Sequence, residues 1–229
     1  MNAARQSTMF SGRGSGGSRG AQRSRGGERG RFGQALATTV TFLAILWIVQ
    51  AINALSGYRL TAFGIRPREV DGLIGIVTAP FIHGSWSHLI ANSTLAAVLL
   101  FMLALSGRRV VWLSSIVIVL IAGVGTWLTG QPHSVHIGAS GLIFGWLTFL
   151  MTRGLFTKRF VQLLVGVVLL LAYGGVLWGV LPGTPGVSWQ GHMFGAIGGV
   201  VAAWLLGRSG STPAAGSVGP AGPRLGAGM

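Results

Sequence analysis

Six apolar runs, at about residues 36–56, 86–106, 110–128, 140–152, 160–180 and 191–207, limit what this 229-residue chain can fold into. In hydrocarbon no water satisfies backbone N–H and C=O groups, so a segment of about 20 apolar residues crosses as an α-helix with internal bonds. The runs predict an all-α membrane protein, a six-transmembrane-helix bundle. Charge agrees with this, because only 17 Lys and Arg and 3 acidic residues are spread over the whole chain, outside the apolar runs. With no cysteine, a disulfide framework, a thiolate nucleophile and a cysteine metal site are all excluded.

Residues 1–35 are rich in Arg, Gly and Ser and hold almost no apolar residue, so they read as a disordered cytoplasmic tail. Arg-Gly repeats also occur in RNA-binding segments, but a basic tail that fixes membrane orientation explains these residues more simply, and no nucleic acid partner is expected. The first apolar run starts too far in, and runs too long, for a cleaved signal peptide. Residues 36–207 form the expected six-span domain, and residues 208–229, dominated by Gly, Pro, Ala and Ser, a second disordered tail. Spans two and three are joined only by Gly107, Arg108 and Arg109, a tight hairpin, whereas Gly57 to Ser85 is too long and mixed for a simple turn and is expected to lie partly in the interface.

Orientation follows from the basic residues. With the N-terminus in the cytoplasm, 14 of the 17 Lys and Arg fall on inner segments, and only Arg59, Arg66 and Arg68 on outer ones. The positive-inside rule then puts both termini in the cytoplasm of a multi-pass cell-membrane protein. Trp86, Trp127, Trp178 and Trp189 all come near the outer boundary, as an aromatic belt requires.

The polar residues that lipid should exclude fall at the starts of three spans: His88 and Asn92 in the second, Ser140 in the fourth and His192 in the sixth. Each of these spans runs from outside to inside, so all three groups come to one face. From Ser140 to Arg153 a helix rises about 20 Å against a core of about 30 Å, which sinks Ser140 roughly 10 Å below the outer surface. The same arithmetic from His192 to Arg208 gives a comparable depth. Small residues around Ser140 (Gly138, Ala139, Gly141, Gly145) and the row Gly191, Gly195, Gly199 permit close approach of spans four and six. A buried serine with a histidine in reach is the minimum nucleophile and general base. No acid lies in a span, so a Ser140–His192 dyad is expected rather than a triad. His88 and Asn92, four apart on one helix face, offer the donor types that stabilise an oxyanion, as does the Ser140 N–H.

These residues resemble the rhomboid intramembrane serine proteases. His83-Gly84-Ser85-Trp86-Ser87-His88-Leu89-Ile90-Ala91-Asn92 is similar to that family's H-x-S-x-x-H-x-x-x-N entry to span two. Gly138-Ala139-Ser140-Gly141 is similar to its G-x-S-G, and Gly191-His192 with Gly195 to its histidine in span six. The resemblance covers about residues 36–207 and implies Ser140 as nucleophile, His192 as base, and His88 and Asn92 in the oxyanion hole. It implies an aromatic ring four residues after the serine, here Phe144, against which the imidazole stacks. It also implies transmembrane protein substrates and a small residue before the cut. Phe144, Trp146 and the Leu-rich runs read as packing or lipid-facing residues, so no cofactor is expected.

Two departures from the family stand out. Ile74 and Gly75 occupy the place of a Trp-Arg pair in the first outer loop, and Phe144 lacks the hydroxyl of the tyrosine found in some members. His83 fits a structural hydrogen bond better than a direct catalytic role. His133 and His136 precede Ser140, but without H-E-x-x-H or an intramembrane carboxylate no metal site is expected. Two other functions compete: a silent family member that binds membrane helices, and a small channel or transporter. The presence of serine, histidine and both oxyanion side chains argues against the first, and the shared depth of serine and histidine against the second.

Overall fold

The computed structural model describes residues 16–208, with side chains from residue 29 onward. Six long helices match the six apolar runs: α1 (Gly16–Leu55), α3 (Trp86–Ala104), α4 (Arg108–Thr129), α5 (Ser140–Thr157), α6 (Phe160–Tyr173) and α7 (Trp189–Arg208). A short α2 (Gly75–Thr78) lies in the first long connection, and α6 continues as a 3-10 segment, Gly174–Val180. Residues 1–15 of the first expected tail and residues 209–229 of the second lie outside the described residues.

The expected boundary at residue 36 falls inside α1, whose helical backbone already starts at Gly16. Packing extends the helix upstream of its apolar run: Ala35 is fully buried, and Phe32 meets Phe101 of α3 edge-on at 5.2 Å between ring centroids. Such edge-to-face pairs are favoured by the ring quadrupole.

Four stretches are long and apolar enough to cross a membrane by length and composition: Arg29–Leu55, Trp86–Ala104, Arg108–Thr129 and Phe160–Val180. The other two long helices, α5 and α7, fall short of that measure. Every residue of α5 from Leu142 to Leu150 is buried, so protein rather than lipid surrounds its central turns. In α7 the buried positions are Gln190, His192, Ala and Gly, small or polar residues that lower hydropathy while bringing neighbours close. The helices that carry Ser140 and His192 are thus among the least lipophilic of the six.

Glycine sets the spacing of α5 and α7. A side chain at Gly195 would run into the backbone of Gly141, and one at Gly199 into the backbone of Gly145. Thr148 of α5 donates its hydroxyl across the contact to the Ala196 carbonyl at 2.8 Å. On the neighbouring side of α7, Gly198 packs on α4, where an added Cβ would stand 3.0 Å from the Ile118 Cα. One helix therefore presents separate glycine seams to two partners.

The connection from Gly57 to Ser85 folds into short 3-10 turns, Arg59–Phe63, Val70–Ile74 and Ala79–Phe81, around α2. Val70, Ile74 and Val77 are exposed and give it an apolar outer face. Although the Trp-Arg pair is missing, the loop is tied down by other residues. Arg66 pairs with Glu69 at 2.7 Å, Trp127 donates its indole N–H to the Glu69 carbonyl at 2.8 Å, and Arg68 donates to the Leu128 carbonyl at 2.9 Å.

Candidate active site

The first turns of α3, α5 and α7 open on one cavity of about 1080 Å³, lined by His88, Asn92, Ser140, Phe144 and His192 among others. The residues expected to share one face therefore do share it, at one end of the bundle. Ser140 is the first residue of α5, where a backbone N–H has no carbonyl within the helix to pair with and the helix dipole is positive. A negative charge developing beside it is favoured.

His192 is held on two sides. Its ring lies flat on Phe144, with centroids 4.1 Å apart and planes at 9°. Its Nδ1 is 2.9 Å from the Gly179 carbonyl oxygen. A carbonyl only accepts, so Nδ1 carries the proton and Nε2 of the neutral ring keeps its lone pair. That is the tautomer a general base needs. A Cβ at Gly179 would stand 2.9 Å from the Phe144 Cζ and 3.3 Å from Nδ1, so the carbonyl reaches the imidazole only because residue 179 has no side chain. Ser140 and His192 line the same cavity, but no hydrogen bond joins them. Nucleophile–base bonds are commonly long before substrate binds and tighten in the complex.

His88 and Asn92 both press on Gly138, two residues before the serine. Its φ of +116° is a conformation few side chains adopt, and an added Cβ would lie 2.7 Å from His88 Cε1 and 3.4 Å from Asn92 Nδ2. The Asn92 amide nitrogen is buried and has no partner. Buried donors are nearly always paired, so one left open beside a candidate nucleophile is free for a substrate oxygen.

His83 is fully buried, and its Nε2 accepts the Ala139 N–H at 3.4 Å, just ahead of Ser140. Burial, and next the neighbouring His88, push its pKa down to about 4, with the Phe81 backbone pulling weakly the other way. Gly141 and Gly195 take their places in the α5–α7 seam described above.

A model of the rhomboid domain matches residues 71–209. This chain belongs to the rhomboid family. An uncharacterized protein of Mycobacterium tuberculosis is 49% identical over 178 residues, 74% of this chain and 74% of its own length. YdcA of Bacillus subtilis, whose name assigns it provisionally to the rhomboid proteases, is 28% identical over 188 residues, 74% of this chain and 89% of its own. Rhomboid-like protein 11 of the Arabidopsis thaliana chloroplast is 30% identical over 152 residues, 57% and 51% of the two chains. With its apolar helices, the rhomboid domain makes this an integral membrane protein.

Two contributors to this rhomboid site were invisible as chemistry in the sequence. Gly179 acts through its carbonyl, which no residue type announces. Ser188, one residue before α7, accepts the Gly191 N–H at 3.3 Å and hydrogen-bonds His136 Nδ1 at 2.7 Å. A serine just ahead of a helix is a legible capping signal, but its histidine partner 52 residues earlier is not.

Proposed function

We propose that this rhomboid protein is an intramembrane serine protease that hydrolyses peptide bonds in or near transmembrane helices of other proteins. The observation that carries the proposal is the state of His192: Nδ1 committed to the Gly179 carbonyl and the ring laid on Phe144, in the cavity that Ser140 lines. Nε2 is then the free base. On this reading Ser140 Oγ attacks the scissile carbonyl while His192 Nε2 takes its proton. The oxyanion is met by the Ser140 N–H, the open Asn92 amide and His88. The imidazolium returns the proton to the leaving amine, and water activated by the same nitrogen releases the acyl group.

The reading extends to six spans with both termini in the cytoplasm and the cavity opening on the extracytoplasmic face. Burial of α5 and α7 among the other helices supports counting them as spans despite their composition. The skewed basic residues support the orientation.

Labelling purified membranes with a fluorophosphonate probe tests the proposal. Wild-type protein is expected to react at Ser140, with Ser140→Ala and His192→Ala unlabelled and unable to cut a model transmembrane substrate. Asn92→Ala should lose roughly 10- to 1000-fold, one oxyanion donor among several. An unlabelled wild type would favour a silent helix-binding member, and equal labelling of Ser140→Ala would remove Ser140 as the reactive serine.

A further inference from the structure

His136 lines the cavity, and the proposed chemistry does not use its contacts. It stands four residues before Ser140 and touches three separate segments. Its backbone exchanges two 2.9 Å hydrogen bonds with Ile65 of the first loop. Its ring bonds Ser134 Oγ through Nε2 at 2.9 Å and Ser188 Oγ through Nδ1 at 2.7 Å. Ser188 in turn leads to the base: its side chain accepts the Gly191 N–H, and its carbonyl accepts the His192 N–H at 3.1 Å.

The direction of each proton in this chain can be worked out. Ser134 donates its own proton to the Gln131 carbonyl at 2.6 Å, so toward His136 it can only accept. Nε2 of His136 is therefore the protonated nitrogen, and Nδ1 of the neutral ring is an acceptor. Ser188 fills that acceptor with its O–H while its lone pair takes the Gly191 N–H. Every donor meets an acceptor in one sequence: Gly191 N–H to Ser188, Ser188 O–H to His136, His136 Nε2–H to Ser134, and Ser134 O–H to Gln131. Burial keeps the His136 pKa below its ordinary value, which preserves the neutral ring the sequence requires.

We propose that His136 is a positioning residue for His192, acting through Ser188: it orients the serine that caps α7 and so fixes the first helical turn on which the imidazole is carried. The loop that delivers Ser140 and the helix that delivers His192 are thereby tied together at a point beside both. The proposal rests on the protease reading for its effect on rate, but the tie itself can be observed without catalysis.

Two amides split the functions of the ring. His136→Asn sets a carbonyl oxygen near the place of Nδ1 and keeps an acceptor for Ser188, whereas His136→Gln reaches toward Ser134 and leaves Ser188 without one. Measured on the full chain in detergent with a model transmembrane substrate, Ser188→Ala and His136→Gln should each lower kcat about 10-fold with KM within about twofold, since a misplacement near 1 Å costs up to about 100-fold. His136→Asn should stay within about threefold of wild type. The double variant, His136→Gln with Ser188→Ala, should be no worse than the poorer single one, because both cut the same chain. Multiplying losses, an unchanged kcat in Ser188→Ala, or equal damage from Asn and Gln would overturn the proposal.

A second measurement separates it from the protease reading. In protein labelled with ¹⁵N-histidine, His136 should appear as the Nε2–H tautomer, and Ser188→Ala should move the ring-nitrogen resonances of His192. Unmoved His192 resonances would overturn the positioning role even if activity fell. Resonances that move in a protein that neither labels nor cleaves would uphold the tie and overturn only the protease reading.

Discussion

The Phe144 ring and the His192 imidazole lie nearly parallel with centroids 4.1 Å apart, so the helix that begins with Ser140 also sets the plane of the base. Phe144 is four residues after Ser140 and therefore on the same face of α5. One helix thus orients both partners of the proposed dyad. Aromatic contacts of this kind are worth about 0.5–1.5 kcal/mol, which places the effect of Phe144→Leu at roughly a 2- to 13-fold fall in kcat. A steady-state assay with a model transmembrane substrate checks this, and an unaltered kcat would mean that the Gly179 carbonyl holds the ring by itself.

Gly195 and Gly198 should respond differently to a methyl group. At Gly195 the methyl meets the rigid backbone of Gly141, so Gly195→Ala should separate α5 from α7 and lower turnover severely, about 100-fold for a displacement near 1 Å. At Gly198 it stands 3.0 Å from the Ile118 Cα, a contact relieved by a few tenths of an ångström, and Gly198→Ala should remain mostly active. Gly198→Val, by contrast, should destabilise the protein, because this face packs on α4. Activity and thermal unfolding in detergent, measured together, decide the matter; equal activity losses in the two alanine variants would contradict it.

Acid should weaken the fold through His83. Its pKa falls from 6.5 to about 4 on burial, so between those values the unfolded chain binds a proton that the folded one refuses. The stabilising contribution is therefore complete above about pH 6.5 and is lost as pH drops toward 4. The Tm in detergent should decline across that window, and the decline should be shallower in His83→Gln, which has no group to titrate there. A slope identical in the two proteins would assign the acid sensitivity to other residues.

Topology can be tested without catalysis. On the proposed orientation, which would set 14 of the 17 basic residues on inner segments, reporter fusions after Arg109 and after Arg159 should report the cytoplasm, and fusions near Gln131 and Pro185 the exterior. A reversed pattern would turn the cavity toward the cytoplasm.

Much of this protein is local information. Each of the six long helices coincides with an apolar run, so they were legible one by one, and the H-x-S-x-x-H-x-x-x-N and G-x-S-G stretches identified candidate residues without any knowledge of packing. The start of α1 was not legible, because Gly16 to Gln34 is too polar to read as a span, and the contact of Phe32 on Phe101 exists only in the packed bundle. The third dimension decided everything that depends on groups with no distinguishing side chain or with distant partners. Only the fold brings the Gly179 carbonyl to His192, leaves the Asn92 amide open beside Gly138, turns Gly195 and Gly198 toward different helices, and sets His136 against Ser188. A backbone carbonyl is the same in every residue, and a hydrogen bond between positions 52 apart exists only once the chain has closed around it.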